Sequence, residues 1–415
     1  MKNKPRVVII GGGFGGLTVA KKLKKFDGEV LLIDKTNHHL FQPLLYQVAT
    51  AALSPGDIAH PIRSILNDQK DTGVIMGEVT KIDRSTKTVF LGEEKLKYDY
   101  LVISTGSRHS YFGNDNWEKF APGLKTISDA LTIREKILLS FEKAEKITDE
   151  NEQEKYMTFA VVGGGPTGVE MAGAIAEITK RTMLADFRNI NTEKTTIYLI
   201  EGTDKLLSVY PEPLNQYTKE ALEKLGVKIL LGNQVTNIDE TGVTVGEKMI
   251  KTKNIIWAAG NTAAPILQTL STKLDRSGRV IVDQDCSIFE DENIFVIGDA
   301  AQFTQGINVL PGIAPVAVQQ GKFVSALILN GVAKKNRPDF KYFDKGSMAT
   351  IGRSKAVMQL GDFKFKGFLA WMMWSLVHIA FLINFRKRYQ VMTEWIWYYL
   401  SDKHGVRLIT HKTDL

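Results

Sequence analysis

RVVIIGGGFGG, residues 6–16, decides the fold together with its counterpart FAVVGGGPTG, residues 159–168. Each reads as a short apolar strand, a tight glycine turn and the start of a helix. Gly11, Gly13 and Gly16 satisfy G-x-G-x-x-G, with Gly12, Phe14 and Gly15 filling the turn, and Gly163, Gly165 and Gly168 satisfy it again. In such a turn the first glycine permits the bend, and the second lets backbone approach a pyrophosphate. The third lets helix and strand pack closely, and the helix N-terminus faces the phosphates. One copy is weak evidence. Two copies, 152 positions apart, point to two dinucleotides in one chain, and a protein that holds two usually moves electrons between them.

The residues around each turn extend the pattern. A strand over 5–10, a helix over 14–25 and a strand over 29–33 end at Asp34, 23 positions after Gly11, the spacing of an acid that reaches an adenine ribose. The second unit has its strand at 158–162 and its acidic strand end at Glu201, a longer gap of 38 positions from Gly163, with an insertion expected over 180–194. Between the units lie hairpin-like alternation in EVTKIDRSTKTVFL, a buried strand and Thr-Gly turn in YDYLVISTGS, and a polar helix over 128–155. IFVIGDAAQF, 294–303, is again a strand followed by a Gly-Asp turn. These elements predict an α/β fold of two Rossmann-like dinucleotide-binding domains, the second inserted in the first. The boundaries expected are 1–120 and 263–345 for the first domain, 121–262 for the second, and 346–415 for a C-terminal region.

Composition narrows the chemistry. The 415 residues allow two or three domains with ample core. The single cysteine, Cys286, forbids an intrachain disulfide, a cysteine-held iron–sulfur cluster and a dithiol relay, which excludes the disulfide reductases. No metal site is expected, since His38 and His39 have no further ligand at suitable spacing and read as loop residues. The N-terminus runs straight into the first strand, so no signal peptide is expected and the chain should stay in the cytoplasm. The net charge of +7 and pI near 9.1 fit nucleic acid or an anionic membrane surface.

The C-terminal stretch chooses the membrane. KGFLAWMMWSLVHIAFLINFRKRYQVMTEWIWYYL carries Trp371, Trp374, Trp395 and Trp397, basic residues upstream at Lys364 and Lys366, and Arg386, Lys387 and Arg388 within it. Its apolar run over 367–385 is at the lower limit of a span, its flanks are basic on both sides, and its tryptophans are internal. Two helices lying in the plane of an anionic lipid surface are expected instead, and nucleic acid is not.

Taken together, HHLFQPLLYQVATAALSPGDIA, GGGPTGVEMAG, NIFVIGDAA, PVAVQQGK and GFLAWMMWSLVHIAFLINFRKR resemble the type II NADH:quinone oxidoreductases, nearly end to end. The resemblance implies a single-chain respiratory enzyme that holds FAD non-covalently, takes NADH, reduces a membrane quinone without pumping ions, forms a homodimer and sits on the cytoplasmic face of the cell membrane. It implies that the Gly11–Gly16 turn binds the FAD pyrophosphate, with Asp34 and Lys35 at the adenosine ribose and Val79 at the adenine through its backbone. Thr105 and Gly106 turn near the cofactor, Asp299 meets the ribityl chain, and Ala314 and Pro315 lie by the isoalloxazine ring. Glu170 matches a glutamate placed between flavin and substrates; its plainer reading is a first-turn acid complementing the helix dipole. Asp299 has a plain reading too, as a helix N-cap. Where many members read Ala-Gln-x-Ala-x-Gln, this chain has Pro315 for the first glutamine, so either Gln319 and Gln320 meet the quinone or the acceptor is held differently.

Glu201 favours NADH over NADPH, because a carboxylate accepts from both ribose hydroxyls and repels a 2′-phosphate. Two rivals remain at this point. A sulfide:quinone oxidoreductase shares the architecture but needs a cysteine pair. A membrane-bound flavin sensor of NADH would reduce its flavin once and stall, where an enzyme turns over.

Overall fold

The computed structural model describes residues 4–383, 385–401 and 405–409. In chain order, β1 (Arg6–Ile10) passes through the first glycine turn into α1 (Phe14–Lys22) and returns as β2 (Glu29–Asp34). A short helix α2 (Leu45–Ala49) precedes β3 (Thr72–Met76) and β4 (Tyr100–Ile103). Helices α3 (Ile127–Lys146) and α4 (Glu150–Tyr156) lead into β5 (Thr158–Val162), α5 (Pro166–Glu177), β6 (Thr196–Glu201), α6 (Glu212–Lys224), β7 (Val227–Leu231) and β8 (Asn254–Trp257). Then follow β9 (Ser287–Ile288), β10 (Asp291–Val296), α7 (Ala314–Leu329), the strands β11 (Ser347–Thr350), β12 (Ala356–Leu360) and β13 (Phe363–Gly367), and finally α8 (Phe368–Phe381) and α9 (Phe385–Ser401).

The chain divides into two compact units. The first holds 1–40, 59–108 and 261–344; the second holds 41–58, 109–260 and 345–415. Along the sequence, the main segment of the second is thus inserted in the first, as the two glycine turns imply. The aromatic stretch 41–58 and the whole C-terminal region cluster with the second unit.

In the first unit, six strands form one sheet in the order β9-β10-β4-β1-β2-β3, parallel except for β9. Its central strand reads RVVII without alternation because both faces are covered, and Val7, Val8 and Ile9 are fully buried. Helices α1 and α7 cross closely, since a Cβ on Gly321 would stand 2.8 Å from the Gly15 carbonyl oxygen. The second unit repeats the plan with a parallel sheet β7-β6-β5-β8. There β5, TFAVV, is buried throughout.

Several local expectations are revised. The polar helix read over 128–155 is two helices: α3 opens with a reciprocal Thr126–Asp129 capping box, Asp149 caps α4, and the chain is extended between them at Ile147. The stretch over 180–194 opens within a π-turn continuing α5 and ends in a single 3-10 turn. His38 and His39 lie in a strand, His38–Leu40, paired with Ala59–Pro61. His39 is buried, with Nδ1 3.1 Å from the Gly12 carbonyl and its ring edge-on to Phe14. Burial holds its pKa below the usual imidazole value, so it serves the first turn as a neutral ring.

Candidate functional site

The two glycine turns are built alike. Gly11 and Gly163 have φ of +99° and +111°, a region that side chains avoid. A Cβ on Gly16 would stand 1.9 Å from the Gly11 carbonyl oxygen, and one on Gly168 would stand 1.8 Å from that of Gly163. No larger residue fits either third position. By contrast, a Cβ on Gly13 or Gly165 would meet nothing within 4 Å. The backbone is therefore bare at the N-cap of α1 and of α5, the position at which a turn of this kind can admit a pyrophosphate.

The acids that end β2 and β6 are already at work. Asp34 Oδ2 accepts the Gly12 N–H at 2.6 Å, and its Oδ1 accepts from Thr36. Glu201 Oε2 accepts the Gly164 N–H at 2.6 Å, and its Oε1 accepts from Thr203. Each acid braces the middle of its own turn. A carboxylate has about four lone-pair sites, so capacity for ribose hydroxyls remains. The insertion before β6 changes the spacing in sequence and leaves this contact the same.

Further polar groups of the first unit suit FAD. Thr105 Oγ1 is buried with no partner among the described residues, and Gly106 beside it has φ +69° with open space where a Cβ would be. Asp299 is not an N-cap. It lies within a 3-10 turn, Gly298–Ala300, and its Oδ2 accepts from Ser107 at 2.7 Å. Gly312 lies so near that a Cβ there would come within 3.1 Å of the Asp299 carboxyl carbon. Val79 is buried and Lys35 exposed. Ala314 and Pro315 open α7 and are partly exposed. The glutamines expected to meet quinone are both engaged by backbone. Gln320 is buried and accepts the Gly298 N–H at 2.8 Å, while Gln319 exchanges two bonds with Phe343. An open phosphate approach, an unpartnered hydroxyl and a carboxylate near a glycine form a donor and acceptor set that fits FAD.

Glu170 differs from its plain reading. Pro166 starts α5, so Glu170 is the fifth residue, beyond the free N–H groups of the first turn. Its carboxyl is pushed up to about 8 by burial, against a weak bond at 3.4 Å from the Thr350 N–H. Tyr46 and Tyr210 stand close enough for its charge to raise their own pKa values, though burial is the larger cause in both. Glu177 lies seven positions on, on the same helix face. Between them Gly173 lets the chain after β11 lie against the helix: a Cβ there would stand 3.0 Å from the Gly352 nitrogen. Thr350 thereby reaches Glu170, and the Arg353 N–H reaches Glu177. Nothing in the sequence reading singled out Glu177, Tyr46 or Arg353.

The C-terminal helices bury one edge and expose another. Ala370, Trp374 and Val391 are buried, while Phe368, Leu376, Phe381, Phe385, Trp397 and Leu400 are exposed. No described helix is long and apolar enough to cross a membrane. Among the described residues no group of acids, histidines and cysteines is arranged to hold a metal ion.

Fold and site define a two-nucleotide flavoprotein, and the pyridine nucleotide-disulphide oxidoreductase family matches residues 5–321. The NDH2 C-terminal domain matches residues 345–404. The chain is 43% identical over 421 residues to the type II NADH:quinone oxidoreductase Ndh of Mycobacterium tuberculosis, covering 98% of this chain and 90% of that protein. It is 42% identical to NdhA of the same organism, covering 98% and 89%. Among solved structures, NDH2 from Plasmodium falciparum in complex with NADH has the same fold, with a TM-score of 0.87 at 23% identity over 96% of this chain and 99% of that one. The sulfide:quinone oxidoreductase of Aquifex aeolicus has a TM-score of 0.75 at 18% identity, over 96% of each chain. The chain belongs to the type II NADH:quinone oxidoreductases. It is a FAD-dependent enzyme that oxidises NADH and reduces a quinone. The sulfide rival is the weaker reading, because the lone thiol, Cys286, is fully buried, and burial raises its pKa.

Proposed function

We propose that the first unit holds FAD and the second NADH, with Glu170 as the acid that serves the quinone. FAD, when bound, supplies the two-electron centre between NADH and quinone. The chain's own part is to hold, orient and protonate. The turn from Gly11 to Gly16 cradles the FAD pyrophosphate, Asp34 and Lys35 take its adenosine ribose, and the Val79 backbone meets its adenine. Thr105, Gly106 and Asp299 grip the ribityl side, with Ala314 and Pro315 by the ring. Gly163, Gly165 and Gly168 take the NADH pyrophosphate, and Glu201 its ribose. Gln319 and Gln320 brace the segments beside the quinone. Reduction of a quinone to a quinol consumes two protons. A carboxyl with a pKa of about 8 still holds its proton at neutral pH and sits in reach of the general-acid range.

The observation that carries this reading is the half-buried carboxyl of Glu170, its pKa raised by burial, two residues past the second glycine turn and past the helix's free N–H groups. Glu170→Gln in the holoenzyme tests it. The variant should keep FAD, still be reduced by NADH, and lose most quinone turnover together with its fall on the alkaline side of neutrality. Loss of flavin, or full turnover, overturns the assignment.

The enzyme also docks, in this proposal, on the cytoplasmic face of the cell membrane as a homodimer. The exposed apolar residues of α8 and α9 face anionic lipid, with the cations of 386–388 beside them. A patch of that kind left in water is costly, and a lipid surface covers it without a spanning segment.

A further inference from the structure

We infer that Trp395, Gln47 and Tyr46 form a directed hydrogen-bond chain that positions the proton-bearing carboxyl of Glu170 from the C-terminal helix. The inference rests on the reading of Glu170 as the quinone's acid. All the residues involved lie in the second unit.

The direction of the chain follows from chemistry. An indole N–H only donates. Trp395 Nε1 stands 2.7 Å from Gln47 Oε1, so that end of the amide must be the carbonyl. The amide's NH2 then faces Tyr46, and Gln47 Nε2 donates to the Tyr46 hydroxyl at 3.0 Å. The Tyr46 hydroxyl oxygen thus accepts from Gln47, and Thr350 Oγ1 lies 3.1 Å from it, a contact in which either hydroxyl can donate. Thr350 in turn aims its backbone N–H at Glu170 Oε1. One donor-only ring on α9 thus fixes an amide flip and, through two hydroxyls in contact, braces the residue whose N–H meets the carboxyl. Gln47, Tyr46 and Thr350 are all buried, so water does not scramble the order. Trp395 itself is held by stacking on Trp374 at 5.3 Å between centroids, and Trp374 by His378 at 4.1 Å. His378 is kept neutral at physiological pH, its pKa lowered to about 4 by burial.

Burial and the Thr350 N–H set Glu170's titration, and the groups its charge reaches are Tyr46 from α2 and Tyr210 ahead of α6; Arg181 and Arg353 act on Glu177, further along the helix. The chain's contribution is to favour the carboxylate by keeping the Thr350 N–H directed at it. Without the chain the proton binds more tightly.

The test is quinone turnover by the lipid-reconstituted holoenzyme from neutral to alkaline pH, with NADH and a short-chain ubiquinone. The wild type should show an alkaline fall, and Glu170→Gln should abolish it. Trp395→Phe and Tyr46→Phe, which keep the rings, should each move the fall to higher pH by roughly half a unit, the scale of a modest change in polar contact. The Trp395→Phe/Tyr46→Phe double variant should move it no further than Tyr46→Phe alone, because both cut one chain. A merely structural role lowers turnover at every pH and leaves the fall in place. If Glu170→Gln abolishes the fall and Trp395→Phe leaves it unmoved, or if the two shifts add, the chain is overturned while Glu170 keeps its role. If Glu170→Gln leaves the fall intact, the reading of Glu170 fails and the chain fails with it.

Discussion

Glu177→Gln should stabilise the enzyme in alkali and hardly touch it in acid. The Glu177 side chain is buried, and burial lifts its carboxyl from the ordinary 4.5 to about 7, although the Arg353 N–H, Arg181, the Arg353 charge and the Tyr398 hydroxyl all favour ionisation. The folded pKa is thus above the unfolded one. Below the unfolded value both states carry the proton and nothing is lost. Between the two values the folded chain holds a proton that the unfolded chain has released, so stability falls as pH rises, and above the folded value the loss is complete. A difference of roughly 2.5 units at about 1.4 kcal/mol each amounts to ~3 kcal/mol. Glutamine keeps an acceptor for the Arg353 N–H and has no proton to lose. For 415 residues at roughly 2.1 cal/mol/K each, unfolding entropy is ~0.9 kcal/mol/K, so the gain corresponds to a rise in melting temperature of about 3 °C. Thermal melts of the two holoenzymes at a mildly acidic and an alkaline pH read this directly. An equal shift at both, or a lower melting temperature in alkali, refutes the reasoning.

Glu201→Arg should raise the KM for NADH about tenfold, the equivalent of ~1.4 kcal/mol, and improve NADPH; an unchanged preference refutes the ribose assignment. Asp299→Ala should purify with less flavin, because a charge-assisted contact is lost, and Ser107→Ala should do so more weakly; flavin-to-protein absorbance after dialysis decides it, and full retention in Asp299→Ala counts against the contact. Leu376→Glu with Trp397→Glu removes two exposed apolar side chains, about 2 kcal/mol each of lipid burial, and adds two negative charges. That variant should shift to the soluble fraction on vesicle flotation, keep FAD and keep turnover with a water-soluble acceptor; unchanged flotation refutes the docking face.

The frame was readable because its signals are local. Each glycine turn, its flanking strand and the acid that ends the next strand lie within one strand–helix–strand run, and the backbone geometry at Gly11 and Gly163 is what their spacing demands. The surroundings of Glu170 were not readable, because they are assembled from distant segments. Tyr46 meets Thr350 across 304 positions and Gln47 meets Trp395 across 348. No periodicity encodes such pairs. Nothing local marks Glu177, and only the close approach permitted by Gly173 brings Arg353 to it. His39, expected in a loop, lies in a strand for a related reason: its strand partner is His60 and its ring meets the Gly12 carbonyl, both remote in sequence.

The bracing of Gly12 by Asp34 and of Gly164 by Glu201 bears on how the chain acquires its ligands. Because each acid already pins its turn, neither phosphate cradle has to be ordered at the moment of capture, and the entropy of setting that backbone is spent during folding. Nucleotide loading is then a late event on a finished surface. The protein should recover flavin after mild stripping at a rate limited by encounter, and nicotinamide exchange during turnover should proceed without a slow refolding of the loop that receives it.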